Sequence, residues 1–126
     1  MNEDAIPARL ERLAAIALAL PEAKRSSLTE QHTSFDVRGK RFAYHLVDHH
    51  GDGRVALCCK VAPGENTALA AAEPARFFIP PYIGPRGWVG LDLEAAAALD
   101  WDEVTKLLVD SYVFTAPKRL GLAVGH

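Results

Sequence analysis

From residue 35 to residue 61 apolar side chains recur at every second position, as Phe35 and Val37, then Phe42, Tyr44 and Leu46, then Val55, Leu57, Cys59 and Val61. Period two places them on one face of extended strands, and the interruptions fall where hairpins turn: Arg38-Gly39-Lys40-Arg41, and the polar run Asp48 to Gly53 with its two glycines. The stretch therefore predicts three antiparallel strands in a meander. With Gly39-Lys40 as a type II′ turn, glycine supplying the positive φ, Val37 opposes Phe42 and Phe35 opposes Tyr44 on one face. A slip of one residue would bring the face of Asp36 and Arg38 inward instead.

The flanks supply helices. Residues 8–20 carry Leu10, Leu13, Ala17 and Leu20 on one stripe, with Pro7 suited to a first turn and Pro21 as a stop. Residues 24–30 read as a short extended piece. Pro63-Gly64-Glu65 opens an alanine-rich helix over 65–73, closed by Pro74. The segment 77–91 holds the aromatics Phe77, Phe78, Tyr82 and Trp88 and the prolines Pro80, Pro81 and Pro85, too many for a continuous central strand. It reads as two short strands, 76–79 and 88–93, joined by a stiff loop. Asp100 to Glu103 has the form of a capping box, followed by the stripe Val104, Leu107, Leu108 and Tyr112 as far as Thr115, with Pro117 beyond. The predicted order is α-β-β-β-α-β-β-α: an α+β fold, one antiparallel sheet with helices on one side, in a single domain over all 126 residues.

Charge narrows the function classes. Fourteen Lys and Arg stand against sixteen Asp and Glu, a net charge of −2, where strong phosphate binders usually carry a basic excess. The distribution is uneven: residues 24–60 are net positive and residues 92–110 strongly acidic. No apolar run reaches the roughly 20 residues of a membrane span, and Met1 to Asp4 has no basic leader segment, so a cytoplasmic location without membrane contact is expected. The adjacent Cys58 and Cys59 sit in a strand, where neighbours point to opposite faces, and are expected to be reduced thiols.

Candidate chemistry is sparse. Ser26, Ser27, Ser34 and Ser111 lie in no nucleophile elbow, neither glycine-rich nucleotide motif occurs, and Cys58 has no activating neighbour in sequence, so no enzyme activity and no cofactor are expected. His45, His49 and His50 near Cys58 and Cys59 lack metal-ligand spacing, and no metal site is expected; His32 and His126 are expected to be exposed. The turn cations Arg38, Lys40 and Arg41, joined by Arg86 in the proline loop and by Lys118 and Arg119 after the last helix, suit phosphate contacts from hairpin wings. Tyr82 and Trp88 offer, as an alternative, a shelf on which a base or another flat ligand stacks.

Three segments in order carry a family resemblance: residues 33–42, the run Pro80-Pro81-Tyr82-Ile83-Gly84-Pro85-Arg86-Gly87-Trp88-Val89, and Asp100-Trp101-Asp102-Glu103 through Ser111-Tyr112 to Ala116-Pro117-Lys118-Arg119-Leu120. Over about residues 8–120 the chain resembles the MmcQ/YjbR family of small bacterial proteins. The resemblance implies a compact α+β domain of the CyaY-like or secretion-chaperone-like type, and DNA binding through a two-winged surface, with no established enzyme activity and no agreed binding residues to carry over. Some members of that family have His where this chain has Gly87, so the resemblance carries no imidazole role to that position. Two expectations follow. One is a cytoplasmic protein that touches DNA through basic hairpins; the other is an interaction domain for a protein or small molecule with no nucleic-acid role, which the acidic balance favours.

Overall fold

The structure, a computed structural model, describes residues 5–48, 51–95 and 99–124. Its elements are α1 (Ala5–Leu18), β1 (Ala23–Thr29), β2 (His32–Val37), β3 (Lys40–Val47), β4 (Val55–Lys60), α2 (Glu65–Ala72), β5 (Phe77–Phe78), β6 (Trp88–Asp92), α3 (Trp101–Thr115) and α4 (Lys118–Leu122). Six strands form one sheet, ordered β1-β2-β3-β4-β6-β5, in which every neighbouring pair is antiparallel. The α+β class stands. The extended piece after α1 is a full edge strand, and Lys118 to Leu122 adds a last helical turn beyond Pro117, so both strand and helix counts exceed the expected order by one.

One face of the sheet carries the main core. Leu10, Leu13, Ala14 and Ala17 of α1 and Val104, Leu108 and Tyr112 of α3 pack on Phe35, Val37, Phe42, Leu57, Cys59, Val89 and Leu91, with Leu69 of α2 and Leu120 of α4 joining at the margins. The opposite face has a smaller cluster, Leu46, Ala56, Cys58 and Trp88 with Tyr44, Phe78 and Ile83 beside it, covered by the irregular segment 79–87 instead of by a helix. Cys58 and Cys59 thus fall in different clusters, free and buried. Burial pushes the Cys58 thiol up to about 12, with Asp52 adding and Arg54 opposing, and holds Cys59 well above its ordinary value.

The first hairpin corrects the expected register. Val37 pairs with Lys40 and Asp36 with Arg41, so the two turn residues are Arg38 and Gly39, both at positive φ (51° and 78°), the signature of a type I′ turn. The pairing then shifts: Phe35 meets Ala43, leaving Phe42 as the extra residue of a β-bulge. The bulge lets Phe42 and Ala43 both enter the main core and sends Tyr44 to the opposite face, against Trp88. Strict alternation had put Phe42, Tyr44 and Leu46 together. A bulge is invisible to period counting because it changes the pairing partner and leaves the residue types unchanged.

At the start of α3, Asp100 accepts from the amides of Asp102 and Glu103 as expected of a cap. Glu103 does not reach back; it pairs with Arg76 before β5. His32 is half-buried and edge-on to Tyr44, ring centroids 5.3 Å apart, not exposed as expected. His49, His50 and His126 lie outside the described residues.

Candidate nucleic-acid interface

The second face of the sheet is built in rows. Cross-strand pairing aligns Tyr44 with Cys58, Cys58 with Gly90, and Gly90 with Phe78, while Lys60 at the end of β4 stands beside Trp88 at the start of β6. The middle of this face is therefore small (Ala56, Cys58, Gly90) and its flanks are aromatic. Gly90 is required there, since a Cβ on it would lie 2.4 Å from the Phe78 ring. Gly84 is required likewise, a Cβ meeting the Ile79 side chain at 2.3 Å, so the two limbs of the loop pack tightly on each other. Asn66 of α2 fixes the loop from its other side, donating to the carbonyls of Gly84 (2.9 Å) and Trp88 (3.2 Å).

Two hollows result. At the end of the sheet near the first turn, an open groove of about 460 Å³ runs between Lys40 and Arg41 of β3, Lys60 of β4 and Arg86 of the loop, with Tyr44, Trp88 and the last turn of α3 as its base. None of these four cations has a carboxylate within 4 Å among the described residues, whereas Arg9, Arg25, Arg38, Arg76 and Lys106 all do. The nearest acid by pairing is Asp36, opposite Arg41 on β2, which offsets part of the charge without forming an ion pair. Burial raises the Tyr44 phenol, and Arg41 and Arg86, which line the same groove, pull it the other way.

Further along the same face, Tyr44 and Ile83 also wall a smaller slot of about 130 Å³ with Ala56, Cys58, Phe78 and Tyr82, closed at its far end by Asp52. The Arg54 guanidinium lies 4.0 Å over the Phe78 ring at that end.

The expected site residues divide accordingly. Lys40, Arg41 and Arg86 come together in the groove. Arg38 turns away to Glu22, its Nε and Nη2 donating to the two carboxylate oxygens at 2.6 and 2.9 Å. Lys118 and Arg119 are exposed on α4, where Arg119 acts on Glu22 rather than lining the groove. Tyr82 and Trp88 line different hollows: Trp88 is buried 5.0 Å from Tyr44 at the groove, and Tyr82 is 78% exposed at the slot. Tyr44 and Lys60 were not among the candidates. The cross-strand neighbourhood of Lys60 and Trp88 follows from β4–β6 pairing, which skips α2 and β5 and leaves no local trace in the sequence.

The acidic stretch is not a bare repulsive face. Glu94 pairs with Arg9, Glu103 with Arg76 and Asp110 with Lys106, while Asp92 and Asp100 accept backbone amides. Among the described residues no three His, Cys, Asp or Glu side chains come together as a metal-ligand set, and no helix is long and apolar enough to cross a membrane.

The YjbR family model matches residues 18–113, spanning the sheet, the loop over its second face and most of α3. The chain belongs to the YjbR family. The crystal structure of Deinococcus radiodurans protein DR2400, a DUF419 domain, shares the fold with a TM-score of 0.67 at 20% identity, over 83% of this chain and 76% of that one. No curated protein matches the sequence. The family match covers the hairpin cations, Lys60, Arg86 and the slot, so the groove belongs to this YjbR domain itself and α4 lies beyond it.

Proposed function

We propose that this YjbR domain is a non-enzymatic, cytoplasmic DNA-binding protein that holds the phosphate backbone on Lys40, Arg41, Lys60 and Arg86. The observation that carries the reading is the grouping around Tyr44 and Trp88 of four cations that have no ion-pair partner among the described residues, where Arg9, Arg25, Arg38 and Arg76 are each tied to a carboxylate. Unpaired cations facing one groove bind phosphate without first breaking an ion pair, and the net acidity of the chain matters little beyond a Debye length of about 8 Å. The paired carboxylates of α3 are spent within the fold. Thiols held protonated by burial supply no nucleophile, and they suit a reducing compartment.

Fluorescence anisotropy with labelled DNA tests this. Binding at about 50 mM salt should weaken steeply toward 200 mM, with a log–log slope of about −3 to −4 for four phosphates. Charge reversal of Lys40 and Arg41 to Glu should abolish it, while Lys118→Glu, outside the groove, should leave most of it. No binding at low salt, or equal loss from both variants, refutes the assignment.

A second reading, an interaction domain for a small molecule, is favoured by a separate cleft of about 1050 Å³ between the first turns of α1 and the sheet, lined by Leu10, Arg25, Thr33, His45 and Val55. His45 is buried there with neither ring nitrogen hydrogen-bonded among the described residues.

A further inference from the structure

The geometry points to single-stranded DNA as the ligand of this surface, one cytosine base entering the slot between Tyr44, Phe78 and Tyr82 while its phosphates lie on the groove cations; this rests on the phosphate-binding reading above. Groove and slot are adjacent, with Tyr44 and Ile83 as their shared wall, so a chain lying in one passes the mouth of the other. The slot's 130 Å³ is far below the roughly 300–1,000 Å³ that encloses a drug-sized ligand. It takes a flat ring and no more, so whatever enters must be a side group of something whose remainder stays outside, where the cations are.

A nucleic-acid base on a phosphate backbone has that division. The walls combine the rings of His32, Tyr44, Phe78 and Tyr82 and two prolines with Leu46 and Ile83, an apolar lining of the kind that accepts a base by its flat face, and the small residues Ala56 and Cys58 leave the depth. Asp52 closes the end as an acceptor: its Oδ1 takes the Arg54 amide at 2.9 Å, and its other oxygen makes no hydrogen bond among the described residues. A carboxylate suits the exocyclic amine of cytosine, which donates, and disfavours the carbonyl that thymine has at that place. Cytosine, a single ring, also suits the small volume. A base within a duplex would first have to leave its stack, at a cost of a few kcal/mol, whereas a single strand offers its bases already free.

Anisotropy titrations at one salt concentration separate the possibilities. The probes are a labelled oligo-deoxycytidine 12-mer, an oligo-thymidine 12-mer, an abasic 12-mer with the same phosphates, and a duplex of the same length. The deoxycytidine strand should bind at least tenfold tighter than the abasic strand and the duplex, and severalfold tighter than the thymidine strand. Tyr82→Ala should bring it down to the abasic level without changing abasic binding. Thermal unfolding of each variant checks that the fold is kept; Ala56→Val, which fills the slot from beneath, should have the same effect on binding from the other wall. Equal affinity for deoxycytidine and abasic strands, tighter binding of the duplex, or indifference to both variants overturns the single-strand assignment and leaves phosphate binding standing. Failure of every probe to bind overturns both.

Discussion

Ser111 on α3 donates its hydroxyl to the backbone carbonyl of Phe42 at 2.6 Å, across 69 positions of sequence, and both groups are buried. The next residue, Tyr112, sets its ring edge-on to Phe42 with centroids 5.5 Å apart and donates its own hydroxyl to the Pro21 carbonyl at 2.6 Å. Consecutive residues of α3 thus hold the bulged residue by backbone and by ring. Because the bulge decides which way Lys40, Arg41 and Tyr44 face, α3 sets the position of the basic groove from the opposite side of the sheet.

Ser111→Ala should therefore destabilise the domain by about 1–3 kcal/mol, the cost of a buried carbonyl left without its donor. Urea unfolding measures it, with the exposed Ser26→Ala as the comparison, for which a change within about 0.5 kcal/mol is expected. A neutral Ser111→Ala would mean that the bulge is held by packing alone.

Arg38 is the one cation of the turn withdrawn from the surface charge, and Glu22 is what withdraws it. The pairing raises the guanidinium and lowers the carboxyl from their ordinary values, the hydrogen bond being the chief cause for each. Glu22→Gln frees Arg38 as a fifth cation beside the four of the groove without adding a residue. DNA affinity at low salt should rise, and the salt slope should steepen by about one phosphate contact. An unchanged slope would show that Arg38 cannot reach the bound backbone.

His45 gives the domain an acid-sensitive point. Burial, with Arg9 on α1 and Arg25 on β1 adding, lowers its imidazole from 6.5 to about 4. Above pH 6.5 the ring is neutral whether the chain is folded or not, so its contribution is constant. As the pH falls from 6.5 toward 4 the unfolded chain takes up a proton that the folded chain refuses, and stability declines, by about 3 kcal/mol over that window. Unfolding free energies at intervals between pH 7 and 4.5 should show this slope in the parent and a much flatter one in His45→Leu. Parallel curves would assign the acid sensitivity to other groups.

What could be read from the sequence followed from local chemistry. Proline stops, the Asp100 cap and the alternation of β3 and β4 each depend on neighbours a few residues away, and three of the four helices, most strands and the α+β class came from them. What could not be read depended on pairing. Glu22 and Arg38 are 16 positions apart, and nothing in either segment announces that one cation of the basic turn is neutralised. The polar face of β1 masked a strand, because an edge strand with one solvated side needs few apolar residues. Lys60 entered the groove only through its partner Trp88, across a connection that includes a helix and another strand. Lys40, Arg41 and Arg86 meet because the pairing of β3 with β4 and of β4 with β6 brings the first turn and the start of β6 to one end of the sheet, which no local pattern encodes.

Gly90 offers a separate test of how the slot is made. It lies between Cys58 and Phe78 in the row across the second face, and the Phe78 ring covers the place a side chain would take, with three ring carbons 2.4 to 2.7 Å from an added Cβ. Gly90→Ala must push that ring outward or bend β5, at the usual overpacking cost of about 1–3 kcal/mol. Displacing the ring also alters the slot wall while leaving Lys40, Arg41, Lys60 and Arg86 where they are. The variant should thus keep its affinity for abasic single strands and lose the advantage of deoxycytidine. The clash can be isolated by a double-mutant cycle: in a Phe78→Ala background the Gly90→Ala penalty should largely vanish, giving a coupling above about 1 kcal/mol. Additive penalties would mean that Gly90 is needed for the conformation of β6 itself, and the slot would then owe its shape to the 79–87 loop alone.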